Sequence, residues 1–199
     1  MSIEPHIIDP KFTILFKDTF GLNEKEFNML LSCFEVKYIR KKDFYVKPGT
    51  ICRHKAYVNK GCLRTYVIDE KGHERILFFP MEDWWVADID SYYSGHAATN
   101  YIQAIENCEL LEISKEDFQM LENTIPRLKQ WYIVKMTRRA TGSARRMEEL
   151  RTMTPQERYV SLIEKSPEIF DRIPLQDIAS YLNIEPQSLS RLRRKLTKH

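Results

Sequence analysis

The chain has 199 residues, of which 30% are charged, 43% apolar and 12% aromatic, with a formal net charge of +3. That composition excludes an intrinsically disordered chain, because the large side chains supply enough burial to offset chain entropy. No run of 18 apolar residues occurs, which excludes a membrane-spanning helix.

The opening stretch MSIEPHIIDPKFTILFKDTF carries acids and lacks a basic flank ahead of a long apolar segment. No secretory signal is read there, and a cytoplasmic protein is expected. The first candidate helix is Asn23–Phe34, where Asn23 and Glu26 have the spacing of a capping box and Phe27, Leu30, Leu31 and Phe34 share a face. From Val36 to Ile113 short β-rich runs alternate with turn signals. These runs are Tyr45–Val46, Ala56–Val58, Cys62–Ile68, Glu74–Phe79, Tyr101–Ile105 and Glu109–Ile113, punctuated by Pro48-Gly49, Asn59-Lys60-Gly61 and Asp69-Glu70-Lys71-Gly72. Strands at this spacing predict a β-roll, jelly roll or sandwich. The four cysteines, Cys33, Cys52, Cys62 and Cys108, contain no CxxC pair and read as free thiols of the core. No cofactor and no metal site are expected.

Ser114 caps a further helix, with Asp117 at its third position and Phe118 and Leu121 as apolar residues. Pro126 opens a long helix to about Thr152. Its less polar positions, Leu128, Tyr132, Met136, Ala140, Ala144 and Met147, step by four or three along one stripe. The small residues in the lower half allow a second helix to approach closely, so a homodimer seam is expected in preference to packing on the chain's own β-domain. Thr154-Pro155 starts a fresh helix that ends near Ser166-Pro167.

The net charge conceals an asymmetry. Residues 1–126 hold 15 Lys/Arg against 20 Asp/Glu, whereas residues 127–199 hold 16 against 8. A basic module on an acidic body points to a polyanion partner. Within that module, Leu175–Leu182 and Pro186–Lys195 read as two helices joined by a short turn. Ile178, Ala179 and Leu182 would face Leu189, Leu192 and Leu196, the pattern of a helix-turn-helix. Asn183 stands where glycine often makes the turn, and asparagine tolerates the left-handed conformation required. The second helix leaves Gln187, Ser188, Arg191, Arg194 and Lys195 on its free face. Gln and Arg can make bidentate bonds to adenine and guanine in the major groove. Ser188, Arg193, Arg194, Lys195 and Lys198 suit phosphates. Double-stranded DNA is therefore the expected partner, with a protein partner for the same motif as the alternative. A cupin-type metalloenzyme is a further alternative and is not expected. No HxH occurs, and His54, His73 and His96 lie 19 and 23 residues apart.

With these residues in view, the chain resembles the CRP/FNR superfamily of bacterial transcription regulators, and within it the compact set common in Bacteroidetes. The segments carrying the resemblance are Glu157–Lys195, ERYVSLIEKSPEIFDRIPLQDIASYLNIEPQSLSRLRRK, and Asn59–Phe79, NKGCLRTYVIDEKGHERILFF, together with Tyr101–Ser114, YIQAIENCELLEIS. The resemblance implies an α+β protein. Residues 1–125 would form a cyclic-nucleotide-binding-like β-roll, residues 126–152 a dimerisation helix and residues 153–199 a helix-turn-helix domain, acting as a homodimer on a pseudo-palindromic operator. By position, Gln187 and Arg191 fall where members of the family read bases, and Ser188 where a phosphate contact is common. Pro186 takes a place that is a base-reading arginine in some members.

Cyclic-nucleotide binders of the family carry a Gly-Glu pair followed by an Arg, a small residue and Ala, the Arg neutralising the cyclic phosphate. The equivalent stretch here, Pro80–Ala104, has no Arg or Lys and contains Glu82, Asp83, Asp88 and Asp90. Binding of cyclic AMP or GMP is therefore not expected. Trp84, Trp85, Tyr92, Tyr93 and Tyr101 are candidates either to line a pocket for another small-molecule effector or to fill the core.

Overall fold

The computed structural model describes residues 8–196, with Leu196 in its backbone alone. The chain divides into two compact units. The first comprises residues up to Tyr66 together with Phe79–Val134, and the second comprises Val67–Phe78 together with the residues from Lys135 on.

The N-terminal segment forms a short helix α1 (Pro10–Thr13), capped by the Asp9 side chain, that runs into a π-helical turn over Ile14–Thr19. Helix α2 (Glu24–Ser32) begins with the expected capping box, in which Asn23 Oδ1 accepts from the Glu26 amide at 2.9 Å and Glu26 Oε2 accepts from the Asn23 amide at 3.0 Å. Eight strands follow: β1 (Glu35–Ile39), β2 (Phe44–Val46), β3 (His54–Lys60), β4 (Leu63–Ile68), β5 (Glu74–Phe78), β6 (Trp85–Val86), β7 (Tyr101–Ala104) and β8 (Cys108–Ser114). They form two four-stranded sheets, of order β1-β8-β3-β6 and β2-β7-β4-β5. In the first, β3 runs antiparallel to β8 from His54 opposite Ser114 to Lys60 opposite Glu109, with an irregularity between Val58 and Lys60. In the second, Leu63 lies opposite Ala104 and Tyr66 opposite Tyr101.

Alternation along these strands explains the core. Ile39, Ala56, Val58, Leu63, Ile102, Ala104, Cys108 and Leu110 belong to one buried cluster. Lys55 and Tyr57, the alternate residues of β3, are also buried. They join an aromatic layer of Phe12, Phe16, Phe34, Trp85, Phe118 and Tyr132, which comes from the N-terminal segment, strand β6, helix α4 (Lys115–Thr124) and the start of helix α5 (Pro126–Thr152). Gly61 is closed to any other residue, because its φ is +104° and a Cβ would lie 2.7 Å from Cys108 Sγ. Helix α3 (Ile89–Ser94), unforeseen in the sequence, sits within the stretch between β6 and β7.

In the second unit, the last part of α5 is followed by α6 (Pro155–Lys165), capped by Thr154 and Glu157 as a second capping box. A short α7 (Ile169–Arg172) leads to α8 (Leu175–Leu182) and α9 (Pro186–Leu196). Strand β5 packs on α8, where Ser180 Oγ donates to the Glu74 carbonyl at 2.8 Å and accepts from the Ile76 amide at 3.1 Å.

Candidate functional site

Helices α8 and α9 form the expected helix-turn-helix. Ile178, Ala179, Leu182 and Leu189 are buried, and Leu192 is half-buried. Ala179 lacks bulk where the neighbouring helix approaches. The turn is made by Asn183 in the left-handed conformation, φ 52° and ψ 50°, with the Ile184 amide returning to the Ala179 carbonyl at 2.9 Å. Along α9, Gln187, Arg191, Arg193, Arg194 and Lys195 are exposed, and Ser188 is half-buried. Arg191 Nη2 donates to Ser188 Oγ at 3.3 Å, which keeps those two side chains together one helical turn apart. Leu196's side chain and Lys198 lie outside the described residues.

Two arginines that raise the charge of this region serve its interior instead. Arg146 on α5 donates to the carbonyls of Ile76 and Leu77 at 3.1 Å and of Tyr181 at 2.7 Å, with its guanidinium 4.0 Å from the Tyr181 ring centroid. Arg158 on α6 donates to the Leu182 carbonyl at 2.9 Å and the Met153 carbonyl at 2.7 Å, and reaches the Asn183 carbonyl at 3.4 Å. It thus holds the turn between the two helices. Nothing in the local sequence separates these arginines from their exposed neighbours, because the carbonyls they serve are 5 to 70 residues away in the chain.

The long helix is observed over Pro126–Thr152. The exposed stripe on it differs from the one expected. Leu128 and Tyr132 are buried in the chain's own fold, since Tyr132 packs on Phe118 with ring centroids 4.9 Å apart. Met136 is half-buried, while Ala140, Ala144 and Met147 are exposed. Ile133 and Val134, absent from the expected stripe, are 55% and 50% exposed. The uncovered apolar line is therefore Ile133, Ala140, Ala144 and Met147, with Val134 at its edge.

In the stretch between β6 and β7, the Asp88 carboxylate is buried and organises the loop. Its Oδ1 accepts from the Ser91 amide at 3.0 Å. Its Oδ2 accepts from the Thr99 and Asn100 amides at 3.2 and 3.1 Å, and from Asn100 Nδ2 at 2.8 Å. These backbone donors, which in an open loop could cradle an anion, are turned on the chain's own carboxylate. The loop is built around an acid and holds no arginine or lysine to neutralise a phosphate.

The five aromatic residues expected near this loop do not converge on one pocket. Trp85 and Tyr92 are buried, Trp84 and Tyr93 are exposed, and Tyr101 stacks on Tyr66 in the other sheet, centroids 4.9 Å apart and planes 8° from parallel. Trp85 and Tyr92 instead surround a residue the sequence reading passed over. Lys55 Nζ lies 2.9 Å from the Phe118 centroid, 3.5 Å from Tyr132, 5.3 Å from Tyr92 and 5.5 Å from Trp85, and has no hydrogen-bond partner among the described residues. Burial drives its pKa down to about 6, with the Glu122 carboxylate opposing the shift. The available signal was a lone lysine in a strand with Ala56, Tyr57 and Val58 directly after it. Among the described residues, no group of three or more His, Cys, Asp or Glu is placed to hold a metal, and no helix is long and apolar enough to cross a membrane.

Comparison with known proteins gives consistent results. A cyclic nucleotide-binding domain model matches residues 36–124. The fumarate and nitrate reduction regulatory protein of Escherichia coli K12 is 28% identical over 192 residues, covering 90% of this chain and 76% of its own. Two solved structures share the fold. The c-di-GMP responsive global regulator CLP of Xanthomonas campestris has a TM-score of 0.72 at 17% identity, covering 88% of this chain and 92% of its own. FixK2 of Bradyrhizobium japonicum has a TM-score of 0.73 at 14% identity, covering 83% and 85%. With the β-roll, the long helix and the helix-turn-helix in one polypeptide, the chain is similar over most of its length to DNA-binding transcriptional regulators of the CRP/FNR type.

Proposed function

We propose that the chain works as a homodimer reading a pseudo-palindromic DNA site. Residues 1–125 act as sensor, 126–152 as dimerisation helix and 153–199 as DNA-binding domain. The observation that carries this reading is the exposed polar face of α9, where Gln187, Arg191, Arg194 and Lys195 stand free of the helix-turn-helix core. Gln187 and Arg191 suit base edges, while Ser188, Arg193, Arg194 and Lys195 suit phosphates. Two such helices about 34 Å apart enter successive major grooves on one face of the duplex. The acidic, arginine-free loop around Asp88 supports a sensor that does not take a cyclic nucleotide.

Arg191→Ala is expected to weaken specific binding by about 1–3 kcal/mol and to relax one base preference. The test is selection of genomic fragments by the full-length protein, run beside the Gln187→Ala/Arg191→Ala double variant. An inverted repeat enriched by wild type and lost in the variant supports base reading, whereas equal losses on specific and random DNA overturn it. For the seam, Ala140→Arg/Ala144→Arg places charge on the uncovered apolar line of α5 and is expected to halve the mass found by light scattering. Circular dichroism should be unchanged. A double variant that stays dimeric removes α5 as the seam.

A further inference from the structure

We infer that the first unit carries a binding site for a small organic anion, a carboxylate or phosphate ester with an apolar body, at the mouth of the β-roll between β1, β2 and the start of β3. The site goes beyond the DNA-binding reading and does not depend on it. A cavity of about 360 Å³ opens there. That volume is at the lower end of the range that accepts metabolite-sized ligands and well above the needs of an inorganic ion.

Its charge is one-sided. Lys37, Lys47 and Arg53 line it against a single carboxylate, Glu112. Lys37 Nζ is committed to Glu112 at 2.9 Å, whereas Lys47 and Arg53 form no ion pair among the described residues and are exposed at the rim. Both lysines are held in place rather than waving in solvent. Lys47 Nζ sits 4.6 Å from the Phe44 ring centroid, and Lys37 Nζ sits 5.3 Å from that of Tyr45.

The interior of the cavity is less polar than its rim. The Tyr45 hydroxyl is buried beside the Glu112 carboxylate. Burial, and then the nearby Glu112 charge, hold its pKa well above the ordinary phenolic value, so it stays a neutral donor. Val46 and Cys52, both buried, provide an apolar floor. A ligand with one anionic end meets Lys47 and Arg53 and rests its body on that floor.

The site is also rigid. Lys47-Pro48-Gly49-Thr50 forms a tight turn in which Gly49 has φ +86°, and the Thr50 amide donates to the Lys47 carbonyl at 3.2 Å. Beyond the turn, the Gly49 amide donates to the Ala98 carbonyl at 2.9 Å and the Ala98 amide to the Thr50 carbonyl at 2.8 Å. The Cys52 amide donates to Ser91 Oγ at 2.9 Å. The rim loop is therefore fixed to the loop around Asp88 before any ligand binds, so little ordering opposes binding.

The test is calorimetric titration of the full-length protein with benzoate, phenyl phosphate, inorganic phosphate and phenol, each to about 10 mM. Benzoate or phenyl phosphate should bind at least about tenfold more tightly than phenol or inorganic phosphate, and the tighter of the two identifies the acid group preferred. Lys47→Gln/Arg53→Gln, both at exposed positions, should weaken that binding about tenfold or more. Three results overturn the site: no binding of either organic anion, phenol or inorganic phosphate binding as tightly as they do, or full affinity in the double variant.

Discussion

Lys55→Met is expected to raise stability by about 2–4 kcal/mol at neutral pH, a large gain for a single substitution. Two effects oppose each other at this residue. The faces of Phe118 and Tyr132 attract an ammonium, an interaction worth roughly 0.5–2 kcal/mol. Removing that ammonium from water costs several kcal/mol, so desolvation outweighs the aromatic faces and lowers the pKa to about 6. The other charged and titratable groups near it are Glu122, which pulls its pKa up, Lys115, whose Nζ is 5.8 Å from the Tyr92 centroid, and the hydroxyls of Tyr92 and Tyr132. Because the folded pKa is about 6 and the unfolded one about 10.4, the unfolded chain binds the extra proton throughout that interval. The Lys55 contribution therefore improves as pH rises from 6 toward 10 and is lost as pH falls to 6. Urea unfolding of both proteins at several pH values reads this directly. The advantage of the methionine variant should be widest near pH 6 and close as pH rises. A variant less stable than wild type would show that the aromatic faces outweigh desolvation.

The second large effect is expected in the opposite direction. Arg146→Ala should cost about 3 kcal/mol, since it removes the donor from the carbonyls of Ile76, Leu77 and Tyr181 and uncovers the Tyr181 ring. Burial lowers the pKa of this guanidinium, yet an arginine remains charged at any working pH, so its hydrogen bonds have to compensate for desolvation. Arg146→Lys should restore less than half of the loss, because a point ammonium cannot reach several carbonyls with the geometry of a planar fork. Chemical denaturation of the three proteins decides the matter. A loss below about 1 kcal/mol for the alanine variant would make Arg146 an ordinary surface charge.

Much of the architecture was legible in the sequence because its signals are local. Asn23 with Glu26 and Thr154 with Glu157 announce helix starts within four residues. Asn183 needs only its own backbone preference to make the turn before α9. The exposed face of α9 follows from helical periodicity. What escaped depends on partners distant in sequence. Leu128 and Tyr132 share the period of the exposed stripe on α5, and only the arrival of α4 beneath them decides that they are core. Lys55 reads as a surface residue until Phe118 and Tyr132, from elements beginning at Lys115 and Pro126, close over it. The aromatic residues between β6 and β7 were read as a group because they are close in sequence, but strand alternation and two different sheets separate Tyr101 from Trp85.

The Asp88 loop bears on how any signal enters this unit. A loop that binds an anion through bare amides is commonly loose when empty, and ligand arrival is felt because it freezes the chain. Here Asp88 already engages the amides of Ser91, Thr99 and Asn100. The entropy of ordering this segment is therefore surrendered once, during folding, and is not recovered or lost again when a ligand binds. A protein built this way cannot use disorder-to-order in that loop as its message.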